Sequence, residues 1–362
     1  MIRVLQIAGS LECGGFSTVL INYYRNIDRS KIQFDFLMYN GKKGYFEDEA
    51  IALGARIFRR PSRKENSIKY LQTLNHVLDE NPDTRIIHIH ENKYYATDLL
   101  LGIAKKIPVR IAHAHGLRIN NQTLKKLMFK TATHLFACSP EAGRYMFGNN
   151  IADNDKFRLI KNAFDLDPFR YNVDIRTRLR SELGVMGKYV VLHVGRLAVV
   201  KNQGFLLKAF AEALKTQPNM VLLMAGDGDL REDLSSLATN LKINDKVQFL
   251  GMRDDVADLY QAADLHVLPS FSEGLGIVIL EAQVSGLPCL VSDVVPHECK
   301  LTDSVEFLPI DKGFGIWAER MLAYQVFDRR DSLENVKMAG YDIKDATKIL
   351  ENFYLSCYAG GL

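Results

Sequence analysis

Apolar residues along this chain gather in short runs, separated by stretches where they recur every three or four positions. The first run, Ile2 to Ala8, passes through a glycine-bearing loop into a helical pattern that includes Val19 and Tyr23. This predicts a strand, a loop and a helix. Further runs read "FDFLMY" (34–39), "RIIHIH" (85–90), "VRIAHAH" (109–115), "HLFACS" (134–139) and "FRLIKN" (157–162), with helix-like segments between most of them. Strands that alternate with helices predict a parallel sheet covered on both faces.

A second array of the same kind begins near residue 189. Its strands are "YVVLHVG" (189–195), "MVLLMAG" (220–226), "KVQFLG" (246–251), "DLHVLP" (264–269), "PCLVS" (288–292) and "VEFLP" (305–309). Val, Leu and Ile runs with few alternating polar residues suit strands buried on both faces. Between the arrays, "NAFDLDPFRYNVD" (162–174) has Pro and Asp and no periodicity, so the linker is expected there. The expected architecture is α/β, with two doubly wound parallel-sheet, Rossmann-like domains facing a central cleft. Their boundaries are 1–165 and 166–342, with a last helix at about 343–362 crossing back to the first domain. Ligands of such sheets bind beyond the carboxyl ends of the strands.

Composition narrows the class. At 362 residues the chain is long for one core. With 47% hydrophobic and 25% charged residues it has the balance of a soluble globular protein. No run approaches the roughly 20 apolar residues of a membrane span, and the N-terminus lacks the pattern of a signal peptide. Five scattered cysteines (13, 138, 289, 299, 357) suggest a reducing compartment, so a cytoplasmic protein is expected. The net charge of +3 divides unevenly, about +9 over residues 1–165 and −6 over the rest. A basic half is either a solvated surface or a face for an anionic partner.

The candidate chemistry follows strand ends. In "GSLECGGFSTVL" (9–20), Gly14 and Gly15 precede a helix, where glycine lets backbone approach an anion and free helix N–H groups favour phosphate. A tight turn explains the same pattern, which matches neither G-x-G-x-x-G nor the Walker loop. In "HVGRLAVVKNQ" (193–203), Arg196 and Lys201 share one strand–helix loop and can converge on a diphosphate. In "SEGLGIVILEAQVSGLP" (272–288), Glu273 falls in a strand–helix loop and Glu281 on the helix. The amides of Gly274, Leu275 and Gly276 can bind phosphate or sugar oxygens. Carboxylates accept from hydroxyls, such as those of a ribose. The bland alternatives are a helix-terminal charge for Glu273 and a surface residue for Glu281.

Taken together, "S-E-G-L-G-x5-E-A-x3-G-x-P" and "G-R-L-x3-K" resemble the signature motifs of retaining GT-B glycosyltransferases of family GT4. "N-A-F-D-L-D-P-F" resembles that family's inter-domain linker, and "LGMRDDVADLYQAADLHVLPS" the stretch before its carboxylate motif. The resemblance implies a hexosyltransferase using a nucleotide-sugar, UDP-linked, to build a capsule, exopolysaccharide or other surface glycan. Arg196 and Lys201 would hold the donor diphosphate and Glu281 the ribose. Glu273 and the Gly274–Gly276 amides would hold the transferred sugar and distal phosphate. Gly14 and Gly15 would approach the phosphates. Backbone at Gly251, Met252 and Arg253 would meet the base, and His115, in "HAHGLR", would lie beside the donor sugar. Phe16-Ser17-Thr18 stand where the family often has a glutamate, and Ala163 where its linker has glycine.

No cofactor and no metal are expected, and no nucleic-acid partner. "HIH" (88–90) and "HAH" (113–115) read as strand-end polar residues, since no carboxylate cluster or cysteine pair completes a coordination sphere. The acceptor is expected to be a saccharide or a lipid-linked saccharide. "NNQTLKKLMFK" (120–130) sets Lys125, Lys126 and Lys130 near Leu124, Leu127 and Met128, and "RRPSRK" (59–64) adds charge. Such a helix can lie peripherally on an anionic membrane at the inner face of the plasma membrane, or be an ordinary amphipathic surface helix. Three rivals remain. A UDP-sugar epimerase and a non-catalytic partner subunit would share the architecture, and the missing G-x-G-x-x-G speaks against a dehydrogenase.

Overall fold

The structure is a computed structural model that describes residues 1–12, 14–38, 43–90, 95–115 and 121–359. Cys13, Tyr39, Gly116–Arg118 of "HAHGLR", Asn120 and the last three residues of the expected final helix lie outside the described residues. The chain separates into two compact units, Met1–Phe164 with Gly340–Leu362, and Asp165–Ala339.

The first unit is built on a seven-stranded sheet. Its strands are β1 (Ile2–Ala8), β2 (Ile32–Met38), β3 (Arg56–Arg59), β4 (Ile86–His90), β5 (Val109–Ala114), β6 (His134–Ala137) and β7 (Phe157–Leu159). They lie in the order β3-β2-β1-β4-β5-β6-β7, all parallel. β1, β2, β4 and β5 are nearly wholly buried, as their mostly apolar runs require, and they bury Gln6, Asp35, His88, His90 and His113 as well. β3 is the strand the hydrophobic pattern does not predict. Its sequence, RIFR, has a half-buried pair between two exposed arginines, because it is an edge.

The helix Ile343–Ala359 completes this unit. Tyr354 meets Phe34 edge-on, Phe353 packs on Phe136 and His134, and Glu351 accepts from the Asp28 amide. Phe164 pairs with Asp342 where the chain re-enters.

The second unit has a six-stranded parallel sheet. It contains β8 (Tyr189–Val194), β9 (Met220–Ala225), β10 (Val247–Gly251), β11 (Leu265–Leu268), β12 (Cys289–Ser292) and β13 (Val305–Leu308), in the order β10-β9-β8-β11-β12-β13. All six are at the predicted places. Leu206, Phe210, Leu222, Leu265 and Trp317 form its core. Sequence order reverses direction between β1 and β4 in one sheet and between β8 and β11 in the other. At such a reversal the loops leaving the strand ends diverge and leave room for a ligand.

Two basic features differ from expectation. Lys125, in the helix Gln122–Thr131, does not join an exposed face. It is buried over the Tyr145 ring, 3.5 Å from its centroid, and donates to the Tyr145 carbonyl at 2.6 Å. Met128 is buried beside it, leaving Lys126 and Lys130 exposed. In "RRPSRK", Arg59 pairs with Glu47. Arg60 is fully buried in a two-pronged pair with Asp98, at 2.9 and 2.8 Å, which also accepts from Tyr70. Lys125 and Arg60 are internal because each found a partner that offsets its desolvation, whereas Arg59 stays exposed and pairs at the surface of β3.

Candidate active site

In the second unit, two loops leave the ends of the adjacent strands β8 and β11. The first begins at Gly195, carries Arg196 and Lys201, and enters the helix Gln203–Leu214. Gln203 holds it from behind, donating to the Arg196 carbonyl at 2.8 Å and to His193 Nε2 at 3.2 Å. His193 is anchored in turn by its Nδ1–H on the Val267 carbonyl of β11. Gly226 packs under the same loop, where a Cβ would lie 2.1 Å from the Gly195 carbonyl oxygen. The second loop carries Ser270, Glu273 and Gly274–Gly276 into the helix Ile277–Val284. The Phe271 amide donates to the Val200 carbonyl at 2.8 Å and Asn202 to the Pro269 carbonyl at 3.1 Å, so the two loops form one surface.

The functional side chains converge there. Lys201 Nζ donates to Glu273 Oε1 at 2.6 Å, and Ser270 Oγ donates to the same oxygen at 2.6 Å. Both charged groups are largely shielded. Glu273 is therefore fixed through one carboxylate oxygen. Lys201 has three N–H donors and uses one here. Gly276 has a φ of +79°, a left-handed conformation that turns the loop into the helix. Leu275 is buried and anchors the segment.

Glu281 sits one helical turn inside. Its Oε2 accepts from the Tyr260 hydroxyl at 3.0 Å. Burial pushes its carboxyl up to about 7, against the lowering effect of that hydrogen bond. Sequence reasoning treated Glu281 as a constant acceptor, whereas its environment makes it titrate near neutrality.

Other expected residues are placed less tightly. Arg196 is exposed and 3.3 Å from the exposed Asp229. It shares the loop with Lys201 but is not in the Lys201–Glu273 pair. Arg253 is engaged with Asp255 at 2.7 and 2.6 Å, Met252 is exposed, and Gly251 ends β10 with a φ of +68°. In the first unit, Gly15 opens the helix Gly15–Asn26 with Gly14 at its cap, and a Cβ at either would meet nothing within 4 Å. Phe16, next in the chain, packs edge-on against His115 at 4.8 Å, so the glycine loop and His115 share one corner of that unit. His88 and His90 lie in the last three residues of β4 and His113 next to the end of β5, and all three are buried.

Ser270, Tyr260 and Gln203 were missed. Ser270 follows the strand "DLHVLP" and stands three residues before Glu273, a spacing that could have flagged it. Tyr260 lies 21 positions from its partner, and nothing local announces the pair.

Comparison with known proteins bears on the whole chain. The model for glycosyl transferases group 1 matches residues 175–305, and that for glycosyltransferase family 4 matches residues 13–168. The putative glycosyltransferase EpsF of Bacillus subtilis (strain 168) is 30% identical over 368 residues, covering 97% of this chain and 96% of that one. A UDP-Gal:alpha-D-GlcNAc-diphosphoundecaprenol alpha-1,3-galactosyltransferase of Escherichia coli is 29% identical over 59% of each chain. Among solved structures, Anabaena Alr3699/HepE in complex with UDP aligns with a TM-score of 0.79 at 19% identity, over 98% of this chain and all of the other. Two parallel-sheet units and a full-length relative at this identity lead to one assignment: the chain belongs to the GT4-type glycosyltransferases of the GT-B fold.

Proposed function

We propose that this glycosyltransferase moves a hexose or N-acetylhexosamine from a UDP-linked donor to a saccharide or lipid-linked saccharide, with retention of configuration and without a metal. The observation that carries the reading is the Lys201–Glu273–Ser270 cluster at the β8–β11 reversal, next to the amides that precede the helix Ile277–Val284. Cleaving a sugar–phosphate bond leaves negative charge on the diphosphate while the sugar becomes oxocarbenium-like. Fixed cations and amide donors favour that separated state over the intact donor. Lys201 meets the diphosphate with its remaining N–H groups, and Arg196 is free to swing in from solvent. Glu273 offers its second oxygen to a sugar hydroxyl. Glu281 accepts from the ribose, and backbone at Gly251–Arg253 meets the base. In the first unit, Gly14, Gly15 and His115 are read as substrate contacts. Among the described residues none stands out as the nucleophile of a double displacement, which favours a front-face route in which the departing phosphate helps deprotonate the acceptor.

The UDP and lipid-linked choices draw on relatives. Alr3699/HepE was solved with UDP, UDP with glucose, and UDP-glucose. The E. coli relative is named for a diphosphoundecaprenol acceptor. With Lys125 and Arg60 turned inward, membrane contact rests on fewer charges. Sedimentation with anionic vesicles that exceeds sedimentation with neutral ones would support it.

The test is Lys201→Ala. Losing one such contact costs on the order of 3 kcal/mol in the barrier, about a hundredfold in kcat, with an unchanged circular dichroism spectrum. Turnover near that of the unaltered enzyme would remove the mechanism. A screen of labelled nucleotide-sugars for slow hydrolysis identifies the donor.

A further inference from the structure

Linked to His115, the first unit buries a line of polar side chains that the reading above leaves unused. His88 and His90 alternate along β4, and His113 and His115 along β5 and its end, with His90 abreast of His113. Gln6 of β1 lies beside His88 in the sheet, and Tyr354 reaches them from the helix Ile343–Ala359. Six side chains connect in one sequence. His115 Nε2 is 2.9 Å from His90 Nδ1, and His90 Nε2 is 2.7 Å from Gln6 Oε1. Gln6 Nε2 is 3.4 Å from the Tyr354 hydroxyl, which is 2.6 Å from His88 Nδ1. His88 Nε2 is 3.0 Å from His113 Nδ1.

Proton counting makes this line restrictive. A neutral imidazole has one N–H and one lone pair. Burial holds His88, His90 and His113 well below the usual histidine value, so each carries one proton. An amide side chain accepts on one side and donates on the other. With the Gln6 oxygen facing His90, His90 donates from Nε2 and its Nδ1 is bare. His115 must then donate from Nε2, and when its ring is neutral Nδ1 carries the lone pair. On the other side, the Gln6 amino group donates to Tyr354, Tyr354 donates to His88 Nδ1, and His88 donates from Nε2 to His113 Nδ1. All four rings are then Nε2–H. Turning the amide over reverses every donor, and all four become Nδ1–H.

We propose that Gln6 is a positioning residue that sets the proton on His115: with its carbonyl toward His90 it holds all four histidines in the Nε2–H form, which places the lone pair of a neutral His115 on Nδ1. The bearing of that proton on substrate rests on His115 being a substrate contact. The ring nitrogens of His88, His90 and His113 lie within 4.8 Å of one another, a spacing that could also hold a metal. A metal there would have to displace protons that this line already shares.

Histidine-labelled full-length protein, examined by long-range nitrogen–proton correlation at pH 8 without substrate, reads the four tautomers directly. The expected result is a single Nε2–H form for all four. Gln6→Leu should turn His115 into a mixture of both tautomers. Tyr354→Phe should release His88 and His113 but leave His115 as Nε2–H. Mixed tautomers in the unaltered protein, an unchanged His115 in Gln6→Leu, or a stoichiometric metal in the purified protein would overturn the proposal. Should Gln6→Leu fail to fold, a His115 tautomer that shifts in Tyr354→Phe overturns it equally. Turnover of His115→Ala is read separately. If it persists while the tautomer pattern holds, the substrate-contact reading fails and the network stands.

Discussion

Glu281 illustrates how one side chain's surroundings change its chemistry. Its carboxyl ordinarily titrates near 4.5, and burial raises it to about 7 in the folded protein. The folded state thus holds its proton more tightly than the unfolded one, so this residue costs stability increasingly as pH rises from 4.5 to 7, and fully above that. The cost is on the order of 3 kcal/mol. Glu281→Gln should therefore stabilise the protein at pH 8 by up to that amount and by little at pH 4, in denaturant unfolding followed at both. The same substitution should weaken UDP binding. In the unaltered enzyme, UDP affinity should fall as pH drops below 7, because a protonated carboxyl offers fewer acceptors to the ribose. Position and residue type of Glu281 were legible in the motif. Its protonation was not, because that depends on Tyr260 and on packing around the helix Ile277–Val284.

Among elements, nearly every strand could be read from its apolar run, including the less buried β7, β10 and β13. β8 and β9 are fully buried, and only His193 interrupts their apolar runs. β3 escaped because an edge strand needs few apolar residues, and the helix Gln122–Thr131 was misjudged because a lysine can be buried over a tyrosine as readily as exposed. The loop into the helix Ile277–Val284 supplies a test at this scale. Gly276 has a positive φ, and a Cβ there would lie 2.8 Å from Ile279 Cδ1. Gly276→Ala should cost about 1–2 kcal/mol of stability from the backbone alone. It should also weaken UDP binding measured by calorimetry, by tilting the amides of residues 274–276. Unchanged affinity would show that these amides do not meet the phosphates.

Across the whole molecule, histidines are distributed unevenly between the units. In the first, burial keeps His88, His90 and His113 well below the usual value and His134 down to about 4. In the second, it keeps His193 down to about 4 and His266 to about 3, while Glu281 works in the opposite sense. A histidine depressed in the folded state stabilises it above pH 6.5, and that contribution is lost as pH falls toward the folded value. The first unit holds four such groups, whereas the second holds two and Glu281 opposes them, so stability falls more steeply in the first unit as pH drops below 6.5. Acid should unfold the first unit before the second. The single tryptophan, Trp317, is buried in the second unit. On acidification, its fluorescence should therefore change at a lower pH than the circular dichroism signal begins to fall. Coincident changes would contradict the difference.

The helix Ile343–Ala359 belongs to the first unit, yet it follows all of the second in chain order. On the ribosome, some 160 residues of the unit can emerge and collapse while the aromatic surface around Phe34 and Phe136 still waits for Tyr354 and Phe353. The second unit is contiguous and can finish folding first. A nascent chain halted before residue 343 should therefore bind chaperones through its older half, reversing the usual order in which the segment made first is the first to become native.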